Sequence, residues 1–379
     1  MHLAFTEEQE DLRASARAFL AEHSPPAEVR RAMQGELGHD PALWKRLGAE
    51  LGWPGIAIPE AYGGAGLSQV ELAALMEVMG EALLCAPFFS SVCLAANALV
   101  EAAGEEQKRR WLPGIAAGET LATLAFAEPG GAWGPEGVAT TARAEGGDFV
   151  LSGRKRYVPD GHAADLVLVA AREPGTEGER GLSLYAVGAD APGLSRRALP
   201  TMDQTRRLAE LRLEDVRVPA SARLGEGETG YEALERALDL AAVALAAEQV
   251  GLAQRCLDLA VAHARSREQF GRPIGSFQAI KHKCADMMLL VESSRSAAYY
   301  AACVAAEGSA DLARAASLAR AWCSEAAFRC AAECLQIHGG VGFTWEYDVH
   351  LYLKRARASE ILLGDPAWHR ERVARLIGL

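Results

Sequence analysis

The sequence is poor in aromatic residues, which fill 7% of its 379 positions although half of all residues are hydrophobic. A core with few rings must be built largely from Ala and Leu, and that composition favours closely packed helices. Basic charge is also in deficit: 39 Lys and Arg stand against 50 Asp and Glu, for a formal net charge of −11. The balance argues against nucleic acid or an anionic membrane as the main partner. It does not exclude a small anionic ligand held by a local basic patch. None of the eight cysteines has CxxC spacing. Cys330 and Cys334, one helical turn apart, read as small buried hydrophobes of a reducing compartment sooner than as a metal or redox pair, so no metal is expected. No internal repeat and no low-complexity linker is visible. The stretch MHLAFTEEQEDLRASARAFLAEH is an acidic amphipathic helix without a signal-peptide core, and no apolar run is read as reaching transmembrane length. The expectation is a cytoplasmic protein with no membrane contact.

What is present divides into three regions: a helical domain at 1–120, a β domain at 121–224 and a helical bundle at 225–379. In the first, a Pro/Gly-rich connection leads to Ser68 with Glu71 three residues later, a capping box ahead of an apolar helix. GEEQKRRWLPGIAAGE reads as a short helix stopped near Pro113. In the second, DFVLSGRKRYVP, ADLVLVAAR, GLSLYAVG and AELRLEDVRVP are short Val/Leu-rich runs bounded by Gly, Asp and Pro. They predict strands of a small antiparallel barrel or sandwich, with REPGTEGERG (172–181) as an exposed hairpin tip. In the third, Thr229 and Glu232 form a second capping box. It opens a long helix, followed by helices at about 278–306 and 310–338 and a shorter last one, which together make a four-helix bundle. The fold class is therefore mainly α with a central β domain.

Between two long helices lies REQFGRPIGSFQ (267–278). Gly271, Pro273 and Gly275 explain a turn, but Arg267, Gln269 and Gln278 exceed what a turn needs. A guanidinium grips phosphate oxygens with paired hydrogen bonds, amides bond ribose or adenine, and Phe270 and Phe277 offer apolar surface. The third bundle helix ends in QIHGG, where Gly339 and Gly340 permit a left-handed exit or the close approach of a ligand to the backbone. These residues resemble the signature of the acyl-CoA dehydrogenases, and the likeness runs through PEAYGGAGLSQVE, GRKRYVPDGHAADLVLVA, RLAELRLEDVRVPASARLGEGETGY and LQIHGGVGFTWE. The resemblance implies FAD as cofactor, an acyl-CoA substrate and an electron-transfer flavoprotein as acceptor. It implies a tetramer, either a homotetramer or a heterotetramer with a paralogue. It further implies that Arg267, Gln269, Phe270, Phe277, Gln278, Gln336, Ile337, His338, Gly339 and Gly340 reach across to the FAD of a neighbouring subunit.

Elsewhere the sequence departs from the family pattern. The flavin-side TEPGAGSD is AEPGGAWG here, so Ala127 replaces a hydroxyl-bearing Thr, and Trp133 stands where a small Ser would meet substrate. The family's WIT becomes Tyr157, Val158 and Pro159. Desaturation requires a carboxylate to take the α-proton while hydride leaves the β-carbon. The commonest base position holds Leu363, followed two places on by Asp365, which also reads as a turn or helix N-cap. The alternative base position holds Ala241, followed by Ala242. Glu248, two turns beyond Ala241 and roughly 10 Å along the axis, is either a relocated base or half of a buried ion pair. Asp239 matches a position that contacts the CoA chain, or is an exposed helix acid. Trp133 and Trp345 suggest a reshaped cavity. Three functions stay open: a flavin-dependent acyl-CoA dehydrogenase with a relocated base, a base-less partner subunit that completes another chain's FAD site, or a relative that oxidises a non-thioester substrate or uses flavin for oxygenation.

Overall fold

In the computed structural model, residues 5–225 and 230–379 are described. The helices, in chain order, begin with α1 (Glu7–His23), α2 (Pro26–Gln34), α3 (Pro41–Ala49) and α4 (Gln69–Ala82). A π-helical stretch (Phe89–Ala96) leads into α5 (Asn97–Ala102), and α6 (Glu105–Ala116) follows. The strands are β1 (Ala122–Ala125), β2 (Thr141–Glu145), β3 (Asp148–Pro159), β4 (Leu166–Arg172), β5 (Leu182–Gly188), β6 (Leu194–Ala198) and β7 (Leu208–Pro219). Then come α7 (Gly230–Ser266), the two-residue strands β8 (Glu268–Gln269) and β9 (Arg272–Pro273), α8 (Gln278–Ala306), α9 (Leu312–His338), α10 (Val349–Ile361) and α11 (Pro366–Leu376). Thr229, expected to cap α7, lies outside the described residues. The chain forms two compact units.

One unit comprises Ala32–Ser68 and Cys85–Ala241 and holds the sheet. β2, β3, β7 and β6 pair antiparallel in that order, as the strand pattern predicts. β4 carries β5 antiparallel along one edge, from Leu166↔Gly188 to Arg172↔Leu182. On its other edge it pairs with β1 in parallel, then meets β2 at a single bridge, Thr141↔Arg172. The sheet is thus mixed at β1, a long-range pairing that local pattern does not encode. All seven residues of β4 are buried, which explains why ADLVLVAAR reads as one continuous apolar run. Leu151, Val167, Val169, Tyr185, Val187, Leu211 and Val216 form the core of this unit. The segment between β4 and β5 is the expected hairpin connection. Pro113 does not stop α6: the helix continues to Ala116, and Ala117 N–H bonds the Pro113 carbonyl at 3.0 Å.

The other unit comprises residues up to Arg31, Gln69–Leu84 and Ala242–Leu379. α9 packs against α8, α10 and α11, and α4 packs against α1 and α8. The expected single last helix is two, because the chain turns at Leu363 (φ +62°) and Gly364 (φ +102°). α1 opens with a capping box: Thr6 Oγ1 accepts from Gln9 N, and Gln9 Oε1 accepts from Thr6 N. α4 and α7 cross in backbone contact at two glycines. A Cβ on Gly80 would stand 2.0 Å from the Glu248 carbonyl oxygen, and one on Gly251 would stand 1.7 Å from that of Glu77. Contrary to the expectation from the sequence, α7 contains an 18-residue window apolar enough to cross a bilayer, but 89% of that window is buried within the protein. Its apolar surface is spent on the core.

Candidate functional site

REQFGRPIGSFQ folds as a tight hairpin on the end of α7. Gln269 pairs with Arg272 and Glu268 with Pro273, and the two connecting residues, Phe270 (φ +54°) and Gly271 (φ +75°), are both left-handed. Two positive φ angles define the type I′ turn that matches strand twist. Glycine adopts it freely, whereas Phe270 does so at a cost of about 1–2 kcal/mol. Its ring is also 90% exposed, so the turn holds a large apolar side chain in water on a strained backbone. Arg267 N–H continues α7 by bonding the His263 carbonyl at 2.8 Å, and Ile274 N–H closes the hairpin on the Arg267 carbonyl at 2.8 Å. The Arg267 side chain is exposed and makes no hydrogen bond or ion pair among the described residues. Phe277 lies edge-on to Phe270 at 6.1 Å, under the Arg272 guanidinium at 4.2 Å. Gln278 is the first residue of α8, so the positive end of a 29-residue helix opens beside Arg267. Gln269 and Gln278 are exposed.

The second half of the predicted clamp lies against the first. His338, in the last turn of α9, stacks on His263 at 4.2 Å, and its Nδ1 lies 2.8 Å from the Cys334 carbonyl. Burial works against a charge on His338, but the contacts with Cys334 outweigh it and raise its pKa; burial, then the neighbouring His338, lowers that of His263. Gly339 follows with φ +64° and ψ −146°, a conformation closed to side-chain-bearing residues, although a Cβ there would touch nothing. The glycine serves the backbone and leaves an open cradle. Gln336, Gly339 and Gly340 are exposed. Ile337 and His338 are not: both are buried and seat the double glycine from inside. Arg267, Gln269, Phe270, Phe277 and Gln278 thus share one end of this unit with Gln336, Gly339 and Gly340. Donors, aromatic surface and bare backbone suit a nucleotide diphosphate such as that of FAD.

The positions tied to proton abstraction look different. Glu248 is 3% exposed and its Oε1 accepts from Arg355 NH1 at 3.0 Å; Arg355 is 2% exposed. Glu248 thus has the buried ion-pair partner that one of its two readings requires. Leu363 is buried in a loop held through its carbonyls. Arg320, fully buried, donates from NH2 to Ser359 O at 2.9 Å and Leu362 O at 2.7 Å, and from NH1 to Gln249 Oε1 and Ser324 Oγ. His369 Nε2 lies 3.1 Å from the Leu363 carbonyl. That nitrogen must carry the proton to donate it; burial, with Arg320 and Arg372 nearby, lowers the ring's pKa to about 2 and disfavours a second proton. Asp365 Oδ1 accepts from Trp368 N at 2.8 Å and caps α11, the N-cap alternative. Sequence reasoning missed Arg320, Arg355 and His369. The available signal for Arg320 is an arginine in line with Ala316, Cys323 and Ala327 on an otherwise apolar helix stripe.

In the sheet-bearing unit, Ala127 and Tyr157 are neighbours. Arg156 N–H bonds the Ala127 carbonyl at 2.8 Å, and Glu128 anchors the strand end by accepting from Lys155 Nζ and Thr140 Oγ1, each at 2.7 Å. Tyr157 sits in a register shift between Lys155 and Val158 with φ +60°, its ring partly exposed and the Arg156 guanidinium 5.2 Å above it. Thr123 Oγ1 bonds the Pro159 carbonyl at 2.6 Å. Trp133 is half-buried in the loop after β1. Asp239 is buried, not an exposed helix acid, and Ala241 is fully buried. Trp345 is 62% exposed, with Lys354 Nζ 4.6 Å and the Arg30 guanidinium 5.7 Å from its ring. It is a surface ring, not a cavity wall.

The fold is mainly helical with a central curled sheet, and exposed donors, aromatic surface and bare backbone share the end of a helix pair. Family models for the N-terminal, middle and C-terminal domains of acyl-CoA dehydrogenase match residues 6–119, 123–216 and 228–378. The chain is 36% identical to acyl-CoA dehydrogenase IpdE2 of Mycolicibacterium smegmatis over 98% of both chains. It is similar to the structure of butyryl-CoA dehydrogenase from Megasphaera elsdenii at a TM-score of 0.93 and 28% identity, covering all of both chains. Another similar structure is the ChsE4–ChsE5 complex from Mycobacterium tuberculosis, at 0.90 and 30% identity, again over all of both chains. The chain belongs to the acyl-CoA dehydrogenase family. It is an oxidoreductase of the acyl-CoA class, and its family's members are FAD-binding flavoproteins.

Proposed function

We propose that the chain serves the α,β-desaturation of an acyl-CoA thioester as the subunit that lends its clamp to FAD housed mainly in another protomer. The exposed hairpin carries this reading. A guanidinium unpaired among the described residues, a strained aromatic in water and a helix N-terminus share one end of the unit with an exposed double glycine. FAD, when bound, supplies the acceptor for the hydride that leaves the β-carbon. In this chain Arg267 and the α8 N-terminus bind the diphosphate, Gln269 and Gln278 bond the adenosine arm, and Phe270 and Phe277 exclude water from it.

The α-proton needs a carboxylate, and two of the three acids near the base positions are committed elsewhere: Glu248 to Arg355, and Asp365 to the start of α11. Leu363 offers only a side chain without a proton acceptor. This favours a heterotetramer, in which a paralogue bears the base, over a homotetramer; an electron-transfer flavoprotein removes the electrons. The test is the FAD-to-chain ratio. Purified alone, the chain is expected to be colourless or substoichiometric in FAD. Co-expressed with a base-bearing paralogue, it is expected to yield a yellow complex that bleaches anaerobically with acyl-CoA, and Arg267→Ala should lower the FAD content about tenfold. A chain that is fully yellow by itself and bleaches with acyl-CoA would sink the partner-subunit reading.

A further inference from the structure

The sheet carries a concentration of positive charge that the clamp does not use. Arg154 on β3 stands directly opposite Arg212 on β7, and Arg197 on β6 stands opposite Glu210 on β7. Like charges facing each other across strands are destabilising, yet here three guanidiniums converge on one carboxylate. Glu210 is buried, and its ion pairs with Arg154, Arg212 (3.3 Å) and Arg197 (3.4 Å) use one nitrogen of each arginine. One carboxylate cannot satisfy three forks of five N–H donors. The Arg154 Nε is buried and meets no acceptor among the described residues. Arg156, two residues along β3 and beyond the inward Lys155, likewise leaves its Nε without an acceptor among them. Around Glu210 the guanidiniums outnumber the carboxylate three to one. In a chain of net charge −11, this is a local excess of positive charge with unused, convergent donors. Its scale is that of one small anion: one nitrogen each of Arg154, Arg197 and Arg212 lies within 3.4 Å of a single carboxylate.

We infer that Arg154, Arg197 and Arg212, gathered by Glu210 and extended by Arg156, form a seat for the phosphate groups of a nucleotide. Glu210 aligns the forks, and the phosphate oxygens take the donors it leaves open. Arg154 is three residues from Tyr157 on the same strand, roughly 10 Å away, so an occupant here lies within reach of the flavin-side strand. The inference rests on the proposed function only for the choice of nucleotide. Both coenzyme A, with its 3′-phosphate and diphosphate, and FAD, with its diphosphate, carry the required chemistry.

The experiment is calorimetric titration of the full chain at low salt with coenzyme A, 3′-dephospho-coenzyme A, FAD and inorganic pyrophosphate. The wild type is compared with Arg197→Ala/Arg212→Ala, whose side chains are 64% and 53% exposed. The single Arg197→Glu serves as a second variant should the double one fold poorly. The seat predicts at least about a tenfold loss of affinity in either variant, together with weakening of wild-type binding by salt. Loss confined to coenzyme A identifies the 3′-phosphate as occupant. Equal loss for coenzyme A and its dephospho form identifies the diphosphate, and loss confined to FAD identifies the flavin nucleotide. A wild type that binds none of the four probes, or variants that bind all of them as the wild type does, overturns the seat. The proposed function would survive that result, because the clamp around Arg267 is tested separately by FAD content.

Discussion

Replacing Glu248 separates a structural acid from a catalytic one. The carboxylate and the Arg355 guanidinium meet at 3.0 Å with both residues almost wholly buried. Removing one member of such a pair leaves the other charge without compensation, at a cost of about 3–5 kcal/mol, whereas replacing both with apolar groups of similar volume is close to neutral. Glu248→Gln keeps an oxygen that can accept from Arg355, so its expected cost is about 3 kcal/mol, near the lower end. Arg355→Met should cost at least as much, and Glu248→Met/Arg355→Met should recover most of the loss, for a coupling energy of about 3 kcal/mol. Against a total stability of about 5–15 kcal/mol, equilibrium unfolding in urea followed by circular dichroism resolves these differences. Flavin reduction by acyl-CoA, assayed in the assembled complex at a temperature where Glu248→Gln stays folded, should persist. The reasoning is refuted if Glu248→Gln unfolds at the wild-type urea concentration and yet loses about a thousandfold or more in flavin reduction, for then the residue is the base.

Two further outcomes follow from the geometry. Gly251→Ala should cost more than about 3 kcal/mol or prevent soluble expression, since its Cβ would stand 1.7 Å from the Glu77 carbonyl oxygen at a backbone contact that cannot yield. Gly188→Ala, where a Cβ meets nothing within 4 Å, should stay within about 0.5 kcal/mol in the same urea unfolding experiment. His369 makes stability depend on pH. Burial, Arg320 and Arg372 lower its folded pKa from 6.5 to about 2. Between those values the unfolded chain binds a proton that the folded one does not, so stability falls as pH drops below 6.5, by up to about 1.4 kcal/mol per unit. His369→Gln should flatten that slope between pH 6.5 and pH 5, measured by urea unfolding at each pH.

The contrast between the two halves of the proposed chemistry shows what a single sequence can carry. The backbone of the candidate clamp was legible because it is local. Arg267 to Gln278 are consecutive, and the Phe270–Gly271 turn and the Gly339 exit follow from backbone rules that act over two or three residues. The strands were legible for the same reason, since β4 declares itself as an unbroken apolar run. The parallel pairing of β1 with β4 was not, because it joins segments 44 residues apart (Ala122 with Leu166) by hydrogen bonds indifferent to side chain. Pro113 was misjudged as a stop because its missing N–H was weighed without the packing that carries α6 to Ala116. The break between α10 and α11 went unseen although Asp365–Pro366 marks a helix start, because nothing local in Leu362–Leu363 announces a left-handed leucine. That conformation is imposed from elsewhere: Arg320 reaches the loop's carbonyls from 42 residues away. Glu248 is the decisive case. In sequence it is a lone acid in an alanine run, and desolvation alone can make such a group a base or demand a partner for it. Its fate rests on Arg355, 107 residues distant, and once that guanidinium is in place the carboxylate serves packing before it can serve chemistry.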